Sequence, residues 1–142
     1  MLKSMLTAIL LTTGLTVFAH DGHTDNPHDP NHTPSVCSPS ADSVCAHLKF
    51  LTAINSSTAG EFIVHVTTPS ETAISDLKVK LWMDMGGHGH GSAPVEIATM
   101  DEANHFKITN AWFVMAGPWL VQIEFIVNGQ SHTVAIPIMV TE

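Results

Sequence analysis

Basic residues are scarce in this chain, and arginine is absent. Five lysines stand against 13 acidic residues in a single-domain length of 142, so the net charge is −8. Proteins that bind nucleic acids or anionic lipid surfaces need many cationic groups to contact phosphates. The charge balance therefore argues against both kinds of partner. Only 13% of the residues are charged and 44% are hydrophobic, which is typical of a folded chain rather than a disordered one.

Cysteine is scarcer still, and the motifs of common enzymes are missing. Two cysteines are too few for a disulfide scaffold but enough for one bridge. The sequence contains no G-x-S-x-G motif, no phosphate-binding glycine loop and no H-E-x-x-H motif. We therefore predict a protein without enzymatic activity. Histidine and methionine are frequent by contrast, with ten and seven copies, and both side chains bind transition metals.

Residues 1–19 have the three parts of a secretory signal peptide. A lysine near the start precedes an uncharged run, Leu6–Phe18, and Val17 and Ala19 occupy the −3 and −1 positions of a cleavage site. The run is shorter than the roughly 20 residues that span a bilayer. We predict cleavage after Ala19 and export to the bacterial periplasm or the medium, with no membrane span left after cleavage.

Residues 20–47 differ in composition from the rest of the chain. Histidine, proline and aspartate are frequent there, and large apolar side chains are nearly absent. Such a segment buries too little surface to offset the entropy lost on ordering. We predict a flexible segment that binds Cu(II) or Zn²⁺ loosely, with a merely polar leader as the alternative. Its candidate secondary metal ligands are His20, His23, His28 and His32.

The same segment offers two further arrangements. Cys37 and Cys45 are expected to form a disulfide in an oxidising compartment, whereas as reduced thiolates they would bind Cu(I). His20 becomes the first residue after cleavage, and an amino-terminal histidine chelates Cu(II) through its amine and imidazole. That brace needs a third ligand, such as His65 or His132.

From Leu48 onward, apolar and polar residues alternate with a period of two, the pattern of half-buried strands. The clearest runs are Phe62–Thr67, Leu77–Met85, Trp119–Val127 and Val134–Val140, and weaker runs cover 48–54, 93–99 and 105–113. Together they predict an all-β fold over residues 48–142, an immunoglobulin-like antiparallel β-sandwich of about seven strands.

Three local signals refine this fold. Asn128-Gly129, between the last two runs, is the preferred pair for a type I′ hairpin turn. Pro137 lacks a backbone donor and predicts an edge strand or a bulge. His65, His105 and His132 lie within or at the start of predicted strands, and we expect them to be solvated surface residues.

The residues that point to chemistry lie between Leu81 and Val95. Met83, Met85, His88 and His90 fall within eight residues, among glycines. Thioether and imidazole together favour Cu(I) over hard cations. On a strand the two methionines project to the same side, and glycine permits a turn that brings an imidazole back toward them. In the competing interpretation the methionines belong to the core and the histidines to a solvated loop.

Two motifs of this chain resemble the YtkA-like/FixH-like group of small exported β-sandwich domains. The first is Met-x-Met-x-Gly-His-Gly, which starts at Met83, and the second is Phe-x-Met-x-Gly-x-Trp, which starts at Phe113. The resemblance implies copper handling near respiratory oxidase assembly or in copper tolerance. It also implies that Met85, His88 and Met115 belong to the site.

This chain departs from the usual family pattern at two positions. It has an additional Gly89-His90 pair, and Asp84 stands where a proline is common. These departures leave open which imidazole binds the metal. For Met115, a core position beside Trp112 or Trp119 is the alternative.

Two functions of different kinds follow from these observations. The first is a copper carrier, chaperone or buffer that holds Cu(I) and exchanges it with another envelope protein. The second is an immunoglobulin-like interaction domain that binds no metal, and a histidine-brace Cu(II) protein is a more distant alternative. The Cu(I) ligands predicted for the first function are Met83, Met85, His88, His90 and Met115.

Overall fold

A computed structural model describes residues 33–86 and 88–142. The predicted signal peptide, its cleavage site and the histidines at positions 20, 23, 28 and 32 lie outside these residues. The described strands are β1 (Ser35–Ser38), β2 (Ala41–Phe50), β3 (Gly60–Thr67), β4 (Ile74–Asp84), β5 (Gly89–Gly91), β6 (Glu96–Thr99), β7 (His105–Ala111), β8 (Gly117–Val127) and β9 (Gln130–Val140). A 3₁₀ turn, Pro69–Glu71, precedes β4. Within the described ranges, no helix has the length and apolar character needed to cross a membrane.

The strands form two antiparallel sheets with the orders β1-β2-β3-β7-β6 and β5-β4-β8-β9. The apolar residues of the alternating runs face inward from both sheets and make one core. Its largest fully buried side chains are Trp119, Phe62, Phe113, Phe125, Leu48, Leu81, Ile108, Ile123 and Ile136. Burying each of these contributes about 1.5–3 kcal/mol. The predicted all-β sandwich is confirmed, and β1 and β5 are the strands that the alternation did not show.

Two local predictions are confirmed in the last hairpin. Val127 pairs with Gln130 across the turn, and Asn128 and Gly129 have φ values of 50° and 78°. Positive φ at both central residues is the requirement of a type I′ turn. Pro137 lies in β9, an edge strand of its sheet. Hydrogen-bonded and non-hydrogen-bonded pairs alternate from Val127–Gln130 at the turn, so Leu120–Pro137 is a non-hydrogen-bonded pair and the proline nitrogen faces away from β8.

The prediction that residues 20–47 form one flexible segment is wrong for its second half. Residues 35–38 and 41–47 belong to β1 and β2, and Val44 and Ala46 are buried in the core. The composition misled because the inward positions of β2 carry small apolar side chains between polar ones. Their burial depends on packing into the core between the two sheets, into which β2 is placed by its pairing with β3 from Cys45 to Phe50.

The predicted disulfide is confirmed. Cys37 of β1 lies directly opposite Cys45 of β2, and the two sulfur atoms are bonded. The bridge ties the edge strand β1 to the sheet. In this state neither sulfur is a thiolate, and the alternative of a cysteine-bound Cu(I) does not apply.

Candidate functional site

The Met-Gly-His motif forms a tight hairpin between β4 and β5. Met83 pairs with His90, and Trp82 with Gly91. The Met85 N–H donates to the His88 carbonyl at 2.9 Å, which continues this register to the tip. Gly86 has φ +70°, a backbone conformation that favours glycine. The Asp84 carboxylate accepts the Gly86 N–H at 3.0 Å and holds the turn.

The register places the four predicted ligands of the hairpin on one face. Opposed residues of an antiparallel pair share a face, and so do residues two apart on a strand. Met83 is opposed to His90, Met85 follows Met83 by two positions, and His88 precedes His90 by two. The rings of His88 and His90 are neighbours, with centroids 5.9 Å apart.

The opposite face of the hairpin explains the glycines that alternate with the histidines. A Cβ atom at Gly89 would overlap the indole of Trp82, and one at Gly91 would lie 3.7 Å from it. The indole therefore needs Gly89, and Lys80 Nζ lies 4.5 Å from the centroid of the same ring. From the sequence these glycines are expected only to permit a turn. Their contact with Trp82 depends on the pairing of β4 with β5.

The two methionines of the motif differ in their surroundings. Met83 is 3% exposed and belongs to the core, and its Cε would lie 3.2 Å from a Cβ at Gly117. For Met83 the core interpretation therefore describes the structure. Met85 is 45% exposed, and His88 and His90 are exposed as well. Three of the four predicted ligands of the hairpin are thus open to solvent.

Met115 lies in the loop of residues 112–116, which joins β7 to β8. It is partly buried against the core, and its carbonyl accepts a hydrogen bond from Trp119 Nε1 at 2.9 Å. The loop ends at Gly117, which is in contact range of Met83. The end of β4 pairs with the start of β8, since Trp82 is opposed to Leu120. The loop that precedes β8 and the hairpin tip that follows β4 therefore lie at the same end of the sandwich.

The donors at this end suit a soft metal ion better than a hard one. Over the parts of the chain that the structure describes, no group of three or more His, Cys, Asp or Glu side chains is arranged to hold a metal. The hairpin instead offers two imidazoles and the thioether of Met85, with that of Met115 on the neighbouring loop. Thioether and imidazole are ligands that select Cu(I).

A second histidine group was not foreseen from the sequence. His47, His65 and His105 lie side by side on β2, β3 and β7, with His65 opposed to both others. The ring centroids are 5.6 Å apart for His47 and His65 and 4.0 Å apart for His65 and His105. We call these three residues the histidine row. The alternation predicts the outward position of His65, and His105 is expected at the surface, but His47 falls in the segment predicted to be flexible. The alignment of the three depends on which strands pair.

Two members of the histidine row, His47 and His65, have lowered pKa values. Burial lowers the pKa of His47. Burial also lowers the pKa of His65, and the neighbouring His105 and His47 lower it further because a second positive charge would lie beside the first.

We expect the metal-free protein to lose stability as the pH falls below about 6.5, the ordinary histidine pKa. The unfolded chain takes up protons at that value, whereas folded His47 and His65 resist them, so acid favours unfolding. Urea denaturation with a chelator at pH 7.5, 6 and 5 measures the effect. His65→Gln should make the decline shallower. An equal decline in both proteins would contradict this origin.

His132 differs from its predicted surface position. It is buried, its Nδ1 lies 3.0 Å from Ser38 Oγ, and its ring stacks on Phe125 with centroids 5.7 Å apart. The prediction was wrong because His132 continues the inward face of β9 two positions before Val134. It is therefore not available as the third ligand of an amino-terminal brace.

The comparison with known proteins identifies a family. The profile of the YtkA-like family matches residues 41–124. This range includes β2 through most of β8 and the two motifs that start at Met83 and Phe113. No curated protein and no solved structure shows significant similarity to the chain. The matched region is more than half of the chain, and the protein therefore belongs to the YtkA-like family.

Proposed function

We propose that this protein binds one Cu(I) ion at the tip of the β4–β5 hairpin and acts as a non-catalytic copper carrier or buffer in an exported compartment. The observation that carries the proposal is the shared, exposed face of Met85, His88 and His90. Membership of the YtkA-like family supports it.

Each residue of the hairpin has a distinct part in this proposal. Met85 supplies a thioether and His88 and His90 supply imidazoles, a donor set that a soft monovalent ion prefers. Met115 would add a second thioether from the loop of residues 112–116. Met83 belongs to the buried core and is not a ligand in this proposal.

The surroundings of the site suit delivery of the ion rather than permanent storage. The hairpin ligands are exposed, so a partner protein has access to the metal and exchanges ligands with it one at a time. Trp82, Gly89 and the Asp84 hydrogen bond order the hairpin before metal arrives, which lowers the entropy lost on binding. The net charge of −8 attracts cations. In this proposal the partner is a copper-accepting or copper-donating envelope protein that serves oxidase assembly or copper tolerance.

The combined substitution Met85→Leu, His88→Ala and Met115→Leu tests the site. We expect Cu(I) affinity, measured anaerobically against a chromophoric chelator, to fall at least tenfold, because only His90 remains of the donors on the hairpin and the neighbouring loop. Leucine conserves the volume of methionine, so folding should change by less than about 1.5 kcal/mol. Native mass spectrometry should show one Cu(I) on the unchanged chain.

A matched control uses the same residue types elsewhere. Met139→Leu replaces another exposed methionine, and His105→Ala replaces a histidine outside the hairpin. Both should keep the Cu(I) affinity of the unchanged chain. Equal affinity in the triple variant would refute the hairpin site.

A metal-free docking function has one observation of its own. Trp112 and Val114 are 42% and 55% exposed, and both lie on the same loop as Met115. Exposed apolar side chains of this size mark contact surfaces. If no Cu(I) binds to the unchanged chain, this end of the sandwich is better explained as a protein-docking surface.

A further inference from the structure

The histidine row lies on the outer face of the five-stranded sheet, on other strands than the hairpin. Its three imidazoles lie on three adjacent strands, and each is opposed to the next. Solvated surface residues need no such alignment. The hairpin site makes no use of these imidazoles. Their alignment depends on the pairing of β2, β3 and β7, so the folded sheet holds them together.

Hydrogen bonds fix which ring nitrogens are free for a ligand. His105 Nδ1 lies 2.8 Å from the Ala103 carbonyl, which only accepts, so Nδ1 carries the proton and Nε2 keeps its lone pair. A metal-bound histidine typically has its other nitrogen donating in this way.

His47, at the other end of the row, is oriented by a second chain of hydrogen bonds. The Thr67 hydroxyl donates to the Cys45 carbonyl at 3.3 Å and therefore accepts from His47 Nε2–H at 3.3 Å. His47 then keeps its lone pair on Nδ1. The row thus has a lone pair at each end, with His65 between them.

The charges around the row are mixed. Glu102 and Lys49 line the same depression as the three histidines, together with Met100 and Thr33. Glu102 is the anionic group that a divalent cation favours, and Lys49, on the outward face of β2, is exposed and extends into solvent. The segment that precedes Thr33 in the sequence carries four further histidines, at positions 20, 23, 28 and 32.

We propose that the histidine row is a surface site for one divalent transition-metal ion, Zn²⁺ or Cu²⁺, with His65 and His105 as the first pair of ligands and His47 as the third. Imidazole suits both ions. In the metal-free stack the row is not yet arranged to hold a metal, because the rings are nearly parallel, 10° apart for His65 and His105, and their lone pairs do not converge. Rotation about the Cβ–Cγ bonds, which have broad torsional minima, turns them onto one ion. His65 turns furthest, because the rings of His105 and His47 are held by their bonds to Ala103 and Thr67. Water completes the coordination.

The test uses the full mature chain with His20, His23, His28 and His32 each replaced by glutamine, which removes the competing amino-terminal ligands. Zn²⁺ is titrated while the imidazole signals are followed by NMR. We expect the signals of His47, His65 and His105 to shift together and to saturate at one equivalent. With Cu²⁺, electron paramagnetic resonance should show nitrogen couplings from at least two imidazoles.

Two double variants of that chain separate the row from the hairpin. His65→Gln with His105→Gln should weaken Zn²⁺ binding at least tenfold and leave Cu(I) affinity unchanged. His88→Gln with His90→Gln should leave the row signals responsive to Zn²⁺ and weaken Cu(I) binding. The proposal is overturned if the first variant binds Zn²⁺ as tightly as its parent, or if the row signals do not move in the parent. Neither result bears on the Cu(I) site, which the triple variant tests independently.

Discussion

A chain shortened to begin at Leu48 is expected to lose cooperative folding, whereas one that begins at Thr33 keeps the stability of a chain that begins at His20. The cut at Leu48 removes β1 and most of β2, including buried Val44 and Ala46. Burial of a valine contributes about 1.5–3 kcal/mol. The same cut leaves the end of β3 without its partner and buried His132 without its Ser38 contact.

The combined loss is large against the 5–15 kcal/mol that stabilises a typical domain. An unpaired buried polar group costs about 1–3 kcal/mol, and loss of a disulfide that closes a short loop costs about 2–3 kcal/mol on the chain-entropy model. Thermal unfolding followed by circular dichroism measures both truncated chains beside the chain that begins at His20. A sharp transition at an unchanged midpoint for the chain that begins at Leu48 would show that β1 and β2 are dispensable.

Replacing Trp119 with alanine should destabilise the protein by about 3–5 kcal/mol, the usual range for a buried tryptophan. Trp119 is 1% exposed and packs edge-to-face against Phe113 with centroids 5.4 Å apart. Its Nε1 also donates to the Met115 carbonyl. Equilibrium unfolding in urea gives the loss directly.

Phenylalanine at the same position separates packing from the hydrogen bond. Trp119→Phe keeps much of the apolar contact but leaves the Met115 carbonyl without its donor, so we expect a loss of about 1–3 kcal/mol. It should also weaken Cu(I) binding if Met115 is a ligand, because that bond orders the loop of residues 112–116. Trp112→Phe is the matched control, since Trp112 is exposed and should change stability by less than about 0.5 kcal/mol. Similar losses for Trp112→Phe and Trp119→Phe would contradict the role of the Met115 hydrogen bond.

The amino-acid sequence by itself determined the features that depend on neighbours along the chain. Alternation of apolar and polar residues predicted the sandwich and most of its strands, because a strand with one face in the core has a period of two. Asn128-Gly129 predicted the last turn, since few residues adopt positive φ at both positions. The Met-Gly-His motif placed candidate ligands close together, because all four lie within eight residues.

Only the tertiary structure decided which of these residues are buried, opposed or exposed. Met83 and Met85 are two positions apart on the same face, yet one lies in the core and the other beyond its edge, because the hairpin extends past the end of the sandwich. β2 is a core strand because pairing with β3 places it in the sheet and its small apolar residues pack into the core between the two sheets, and composition alone does not reveal that packing. The histidine row exists because β2, β3 and β7 pair in one register, and strand pairing joins residues that are far apart in the sequence.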